Sequence, residues 1–229
     1  MTFKECELLA NQGVAEAQYN LGLVLNKGKE ISQNHKEAIK WYELAAEQGF
    51  AQAQTNLGLM YGKGEGIEQD FKKAIKWYQL AADQGLAEAQ HNLGVMYGRG
   101  QGLEQNYVEA YRWFELSSMQ GYAQAQYNLG MMNSKGKGIL QNYTEAVKWY
   151  RLSAEKGITG AQSNLGLMYE KGQGVEQDFI EAHKWFNIAG INGNEIGQRN
   201  ADIIEKKMTV GQIAVAVSLA KECNQNISE

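Results

Sequence analysis

The chain has 229 residues, and its 22 Lys and Arg against 26 Asp and Glu leave a formal net charge of −4, which argues against a general nucleic-acid binder. Proline is absent, and the two cysteines, Cys6 and Cys223, stand at opposite ends of the sequence, where no intrachain bridge is expected. No stretch approaches the ~20 apolar residues of a membrane span, and residues 1–10 lack the apolar run of a secretory signal.

In chain order, residues 1–14 read as the second helix of a repeat whose first helix is missing, since Glu7, Leu8, Ala10, Gln12 and Gly13 fit the pattern that follows. They are expected to be a partial repeat or cap. From Ala15 one 36-residue pattern recurs at Ala51, Ala87, Ala123 and Thr159, filling residues 15–194. Such a period predicts a solenoid, in which each unit buries its apolar face against its neighbours.

Within the copy that starts at Ala51, helical spacing of Ala53, Asn56, Leu57, Met60 and Tyr61 predicts a first helix. Gly64 and Gly66 end it. Asp70 is then an N-cap for a second helix, and its equivalents are Asn34, Asn106, Asn142 and Asp178, all strong capping types. A Glu stands three residues later in four copies, the pattern of a capping box. Phe71, Ala74, Trp77, Tyr78 and Ala81 mark the apolar face of that second helix, and Gly85 closes it.

Gly22, Gly58, Gly94, Gly130 and Gly166 lie inside the first helices, where glycine costs about 1 kcal/mol relative to alanine. Their recurrence predicts close approach to the second helix, against Ala38, Ala74, Ala110, Ala146 or Ala182. The five tryptophans share one repeat position and are expected in the core between repeats. Beyond the repeats, residues 195–229 predict capping helices, with Asp202 where the packing glycine belongs and with Ile213, Ala216, Val217 and Ala220 on one side of the last helix.

Neither a catalytic constellation nor a cofactor site emerges. Loops such as Gly98–Gly102 have neither the preceding strand of a dinucleotide fingerprint nor the Lys-Ser/Thr of a phosphate loop, and they read as turns. His35, His91 and His183 occupy different repeat positions and suggest no metal site.

The A-x-A-Q-x-N-L-G-x-M-Y opening and the G-x-G-x-x-Q-[DN]-[FY]-x-E-A-x-K-W-[YF] continuation resemble the Sel1-like repeat family, itself similar to tetratricopeptide repeats. The resemblance covers residues 15–194. It implies an all-α, right-handed superhelical solenoid of antiparallel helix pairs, acting as a non-enzymatic adaptor for a protein or peptide partner. An inhibitor or immunity protein for a bacterial effector is a more specific form of that expectation.

By the same resemblance the first helices line a concave groove, with the fifth and sixth repeat positions facing inward. The sixth is always asparagine: Asn20, Asn56, Asn92, Asn128 and Asn164. Such a ladder can hold a peptide backbone by paired amide bonds, or it can tie adjacent helices together. The fifth position varies as a recognition surface would, through Tyr19, Thr55, His91, Tyr127 and Ser163. The thirteenth is always basic (Lys27, Lys63, Arg99, Lys135 and Lys171), suiting either an acidic partner or the negative end of a helix.

Some cysteine-rich relatives bind or slowly hydrolyse β-lactams, which gives an alternative reading. This chain lacks their cysteine pairs, and Ser153-Ala154-Glu155-Lys156 meets the S-x-x-K pattern by letter only. Scarce cysteine favours a cytoplasmic location, the alternative being the periplasm if a leader has been removed. The half-repeat at residues 1–14 suggests end-to-end self-association.

Overall fold

The protein is described here from a computed structural model, over residues 3–28 and 32–228. Every regular element among these residues is a helix. The first is α1 (Phe3–Asn11). Five pairs follow: α2 (Ala15–Lys27) with α3 (His35–Glu47), α4 (Ala51–Lys63) with α5 (Phe71–Asp83), α6 (Ala87–Arg99) with α7 (Tyr107–Met119), α8 (Ala123–Lys135) with α9 (Tyr143–Ala154), and α10 (Thr159–Lys171) with α11 (Phe179–Ile191). The last two helices are α12 (Glu195–Glu205) and α13 (Val210–Ser228).

The chain divides into two compact units, Met1–Ser117 and Ser118–Glu229. In the first, α1 packs on α2, α2 on α3, α3 on α4, and so on to α6. In the second, α8 packs on α9, α9 on α10 and α10 on α11, and both α12 and α13 rest on α11. This is an all-α helical-repeat solenoid architecture.

The helix boundaries follow from local chemistry. Each first helix ends on a left-handed glycine, as at Gly64 with φ 73°, whose N–H bonds to the Met60 carbonyl. Each second helix starts at the expected cap: Asp70 Oδ1 accepts from the Lys73 N–H at 3.0 Å, and Asn142 Oδ1 from the Glu145 N–H at 3.1 Å. The capping box is only half made. Instead of receiving the glutamate, the cap's own N–H donates back to the first helix, Asn34 to the Leu25 carbonyl and Asn142 to the Asn133 carbonyl, each at 2.9 Å. The glutamine before each cap adds a second tie, as where Gln69 Nε2 donates to the Gly62 carbonyl at 2.8 Å. The same bond recurs from Gln33, Gln105, Gln141 and Gln177. A Gln-Asp or Gln-Asn dipeptide thus staples the loop to the last turn of the helix before it.

The helix-interior glycines do mark close approach, but the crowding group differs from the expected alanine. A Cβ at Gly22, Gly58, Gly94, Gly130 or Gly166 would stand 2.5–2.8 Å from the ring of Tyr42, Tyr78, Phe114, Tyr150 or Phe186. The alanine one turn earlier contributes only its carbonyl, at 3.2 Å for Ala38 and Gly22. The tryptophans also depart from expectation. Trp185 is buried, whereas Trp41, Trp77, Trp113 and Trp149 are half-buried, with Lys76, Lys148 and Lys184 lying over the rings of their neighbours Trp77, Trp149 and Trp185. In α13, Ala216 and Ala220 are buried as expected, but Val217 is exposed. Close approach in α12 occurs at Gly197, against Ala189, while Asp202 faces solvent.

Candidate functional site

The fifth and sixth positions of the first helices are not an open row. Thr55 and Ser163 are buried, and the Thr55 hydroxyl donates to the Ala51 carbonyl one turn back at 3.0 Å. The larger residues at this position reach an aromatic partner. Tyr19 lies 5.2 Å from Phe50 and 6.1 Å from Tyr42, His91 lies 5.6 Å from Phe114, and Tyr127 lies 6.2 Å from Tyr150, ring centre to ring centre. Burial pushes the Tyr19 hydroxyl up and holds the His91 imidazole down at about 4, so His91 is neutral near pH 7. His91 Nδ1 lies 3.3 Å from Asn92 Oδ1, a hydrogen bond in the tautomer that carries its proton on Nδ1.

The asparagines at the sixth position are half-buried. Asn56 lies beside the hydroxyls of Tyr19 and Tyr42 from the preceding repeat, and Asn164 lies beside Tyr150. Burial holds the Tyr150 hydroxyl up at about 12, and its partner Ser134 Oγ is 3.0 Å away. These amides therefore stand at joints between repeats. Asn92 differs: its Nδ2 is buried and has no hydrogen-bond partner.

In the first unit a hollow of about 190 Å³ opens beside that amide, lined by Leu59 and Lys63 of α4, Tyr78 of α5, and Asn92, Val95 and Arg99 of α6. Lys63 and Arg99 are exposed at its rim, with Lys63 paired to Glu65 at 3.4 Å. The half-buried aliphatics at the ninth repeat position, Leu59 and Val95, form its apolar floor. The sequence reading did not single out that position, although it is aliphatic or methionine in every copy.

The S-x-x-K letters do not form a nucleophilic pair. Ser153 is buried and its Oγ donates to the Ala123 carbonyl at 2.8 Å, while Lys156 Nζ donates to the Gly121 carbonyl at 2.5 Å. Ser117 makes the equivalent bond to the Ala87 carbonyl at 2.7 Å. Among the described residues no group of three His, Cys, Asp or Glu side chains could hold a metal ion. No described helix is long and apolar enough to cross a membrane. Both cysteines are free thiols.

The geometry is that of a helical-repeat protein, with helix packed on helix in series within each unit. The chain belongs to the Sel1 repeat family: the family pattern matches residues 15–50, 51–86, 87–122, 123–158 and 159–194. Repeats of this family mediate protein–protein contacts, and its members are typically non-catalytic scaffolds. The chain is 38% identical to c5321, a protective antigen of uropathogenic Escherichia coli with an SLR fold, at a TM-score of 0.90 over 95% of this chain and 47% of that one. It thus spans about half the length of that protein. It is 33% identical to a Sel1 repeat protein from Oxalobacter formigenes, at a TM-score of 0.79 over 91% of this chain and 86% of that one. The immunity protein Pa5087 of Pseudomonas aeruginosa shares the fold at 19% identity and a TM-score of 0.54, over 92% of this chain and 82% of that one. No curated protein matches the chain.

Proposed function

We propose that this protein is a non-catalytic scaffold that holds a segment of a partner protein on its first-helix face, with the hollow between α4 and α6 seating a carboxylate of that partner. One observation carries the reading: Lys63 and Arg99 rim a hollow that Leu59, Val95 and Asn92 line. A carboxylate seated there would meet both cations in charge-assisted hydrogen bonds. An extended peptide could lay apolar side chains on Leu59 and Val95 and place an acidic side chain or its terminal carboxylate between Lys63 and Arg99.

Affinity capture from source-cell lysate tests this, with the native chain run beside Asn92→Ala and Lys63→Glu/Arg99→Glu variants. A protein retained by the native chain and lost from both variants supports the reading. A partner retained by both removes the hollow from it. Inhibition of a bacterial effector is the more specialised form of the proposal. It rests on the suitability of a rigid repeat surface for large contacts, because the immunity proteins of similar fold lend the fold alone. Protection of cells that express such an effector would be its signature.

A further inference from the structure

The outer face of each second helix carries the same pair one turn apart, a tryptophan and an aliphatic residue: Trp41 and Leu44, Trp77 and Leu80, Trp113 and Leu116, Trp149 and Leu152, Trp185 and Ile188. Their exposure is not the same. Leu44 is 45% exposed and Leu80 41%, whereas Ile188 is fully buried and Trp185 is 2% exposed. The cause is α13, which returns onto α11. Ala220 of α13 joins Trp185 and Ile188 in one buried cluster, with Cys223 and Ile227 packed against it. Asn192 Nδ2, just past α11, donates to Asn224 Oδ1 of α13 at 2.9 Å. The molecule therefore already contains one helix seated on this face, through Ala216, Ala220, Cys223 and Ile227, residues three or four apart along one stripe.

Among the described residues of the first unit no helix covers the same face. On α3 it forms an open hollow of about 460 Å³ lined by Asn34, Lys36, Glu37, Lys40, Trp41 and Leu44. Its charge differs from that of the covered face. The position of Ile180 in α11 is lysine in α3 and α5, as Lys36 and Lys72, and the next turn supplies Lys40 and Lys76. Lys184, the covered counterpart of Lys40, is 2.6 Å from Glu181. Among the described residues Lys36, Lys40, Lys72 and Lys76 have no ion-pair partner.

From this relationship we infer that the outer face of α3 and α5 is a second docking surface, and that its occupant is an amphipathic helix of a partner protein. That helix seats small and aliphatic residues on the Trp–Leu pair, as α13 does on α11, and carries glutamate or aspartate on its flanks to meet the four lysines. The site is separate from the first-helix hollow and does not depend on it.

The test uses the full chain and a labelled peptide of the length of α13. The peptide keeps the spacing of Ile213, Ala216, Ala220 and Ile227, with alanine for Cys223 and glutamates on both flanks. Fluorescence anisotropy is expected to show saturable binding that falls with added salt. Binding should weaken at least about tenfold in Leu44→Asp/Leu80→Asp and in a variant with all four lysines changed to glutamate. These side chains are exposed, and circular dichroism checks that the variants fold. A matched peptide with lysine flanks is expected not to bind. No saturable binding up to about 1 mM, or binding indifferent to both variants, overturns the inference. So does sedimentation showing self-association that Leu44→Asp/Leu80→Asp abolishes, because the occupant is then a second copy of this chain.

Discussion

Gln48 Nε2 donates to Gln18 Oε1 at 2.8 Å across thirty residues, and Gln84 makes the same bond to Gln54 at the same distance. Gln18 and Gln54 in turn donate to the carbonyls of Ala10 and Ala46, at the end of the preceding second helix. One buried amide thus fastens its helix to the second helix of its own repeat and to that of the repeat before. In the fourth repeat Lys156 replaces the donor glutamine and turns to the Gly121 carbonyl, which leaves Gln126 Oε1 buried without a partner. Lys156→Gln is expected to restore the bond and raise stability by about 0.5–1.5 kcal/mol. Urea denaturation measures it, and an unchanged or lowered midpoint would show that the orphaned oxygen carries no penalty.

Gly58→Ala places a methyl group about 2.7 Å from two ring carbons of Tyr78, a buried side chain. Alanine's better helix propensity is worth about 1 kcal/mol, while overpacking a filled core costs about 1–3 kcal/mol. A net loss of stability is expected in thermal melts. Pairing the change with Tyr78→Leu should recover part of it, because the ring is the obstacle. A stabilised single variant would contradict this account of the glycine row.

His91 titrates low in the folded chain, at about 4 against an ordinary 6.5, because burial disfavours its charged form. The unfolded chain therefore takes up a proton first as pH falls. The stability contributed by the neutral, packed ring is present above about pH 6.5 and drains away as pH drops toward 4. Melting temperatures at pH 7 and pH 5 should differ more for the native chain than for His91→Gln. Equal differences would mean that the ring is free to protonate in place.

Ser153→Ala removes a buried hydroxyl whose bond goes to the Ala123 carbonyl. Alanine already occupies the equivalent position at Ala45, Ala81 and Ala189. The expected cost is about 1 kcal/mol or less, with no change in any β-lactam turnover. Hydrolysis that disappears in this variant would revive the enzymatic reading.

The sequence disclosed most of what a single helix needs. Asn142 and Asp70 act as caps, and Gly64 takes the left-handed turn, because those roles are local and are repeated often enough to stand out. It disclosed less where two helices meet. Thr55 and Tyr127 share a repeat position, yet one is buried with its hydroxyl on its own helix and the other reaches the ring of Tyr150. Side-chain size decides which occurs once the second helix is placed, and a single-helix reading carries no such information. The tryptophans misled for a related reason: a large apolar ring predicts burial, but only Trp185 has α13 to cover it. The hollow that Asn92 lines and the floor made by Leu59 and Val95 depend on spacing between repeats. That spacing is set by the glutamine bonds, which join each first helix to the end of the second helix before it.

The glutamine bonds also govern how the chain can change length. If Phe50 were joined directly to Ala87, Gln90 would meet the Ala46 carbonyl in place of Ala82, its partner in the present chain at 3.3 Å. The new seam would be made of the same donors and acceptors as the old one, as would a seam formed by inserting a further copy. Repeat number is thus a modular property of this protein: a gene that gains or loses a multiple of the 36-residue period keeps a chemically sealed joint, whereas an insertion or deletion of any other length leaves buried amides stranded.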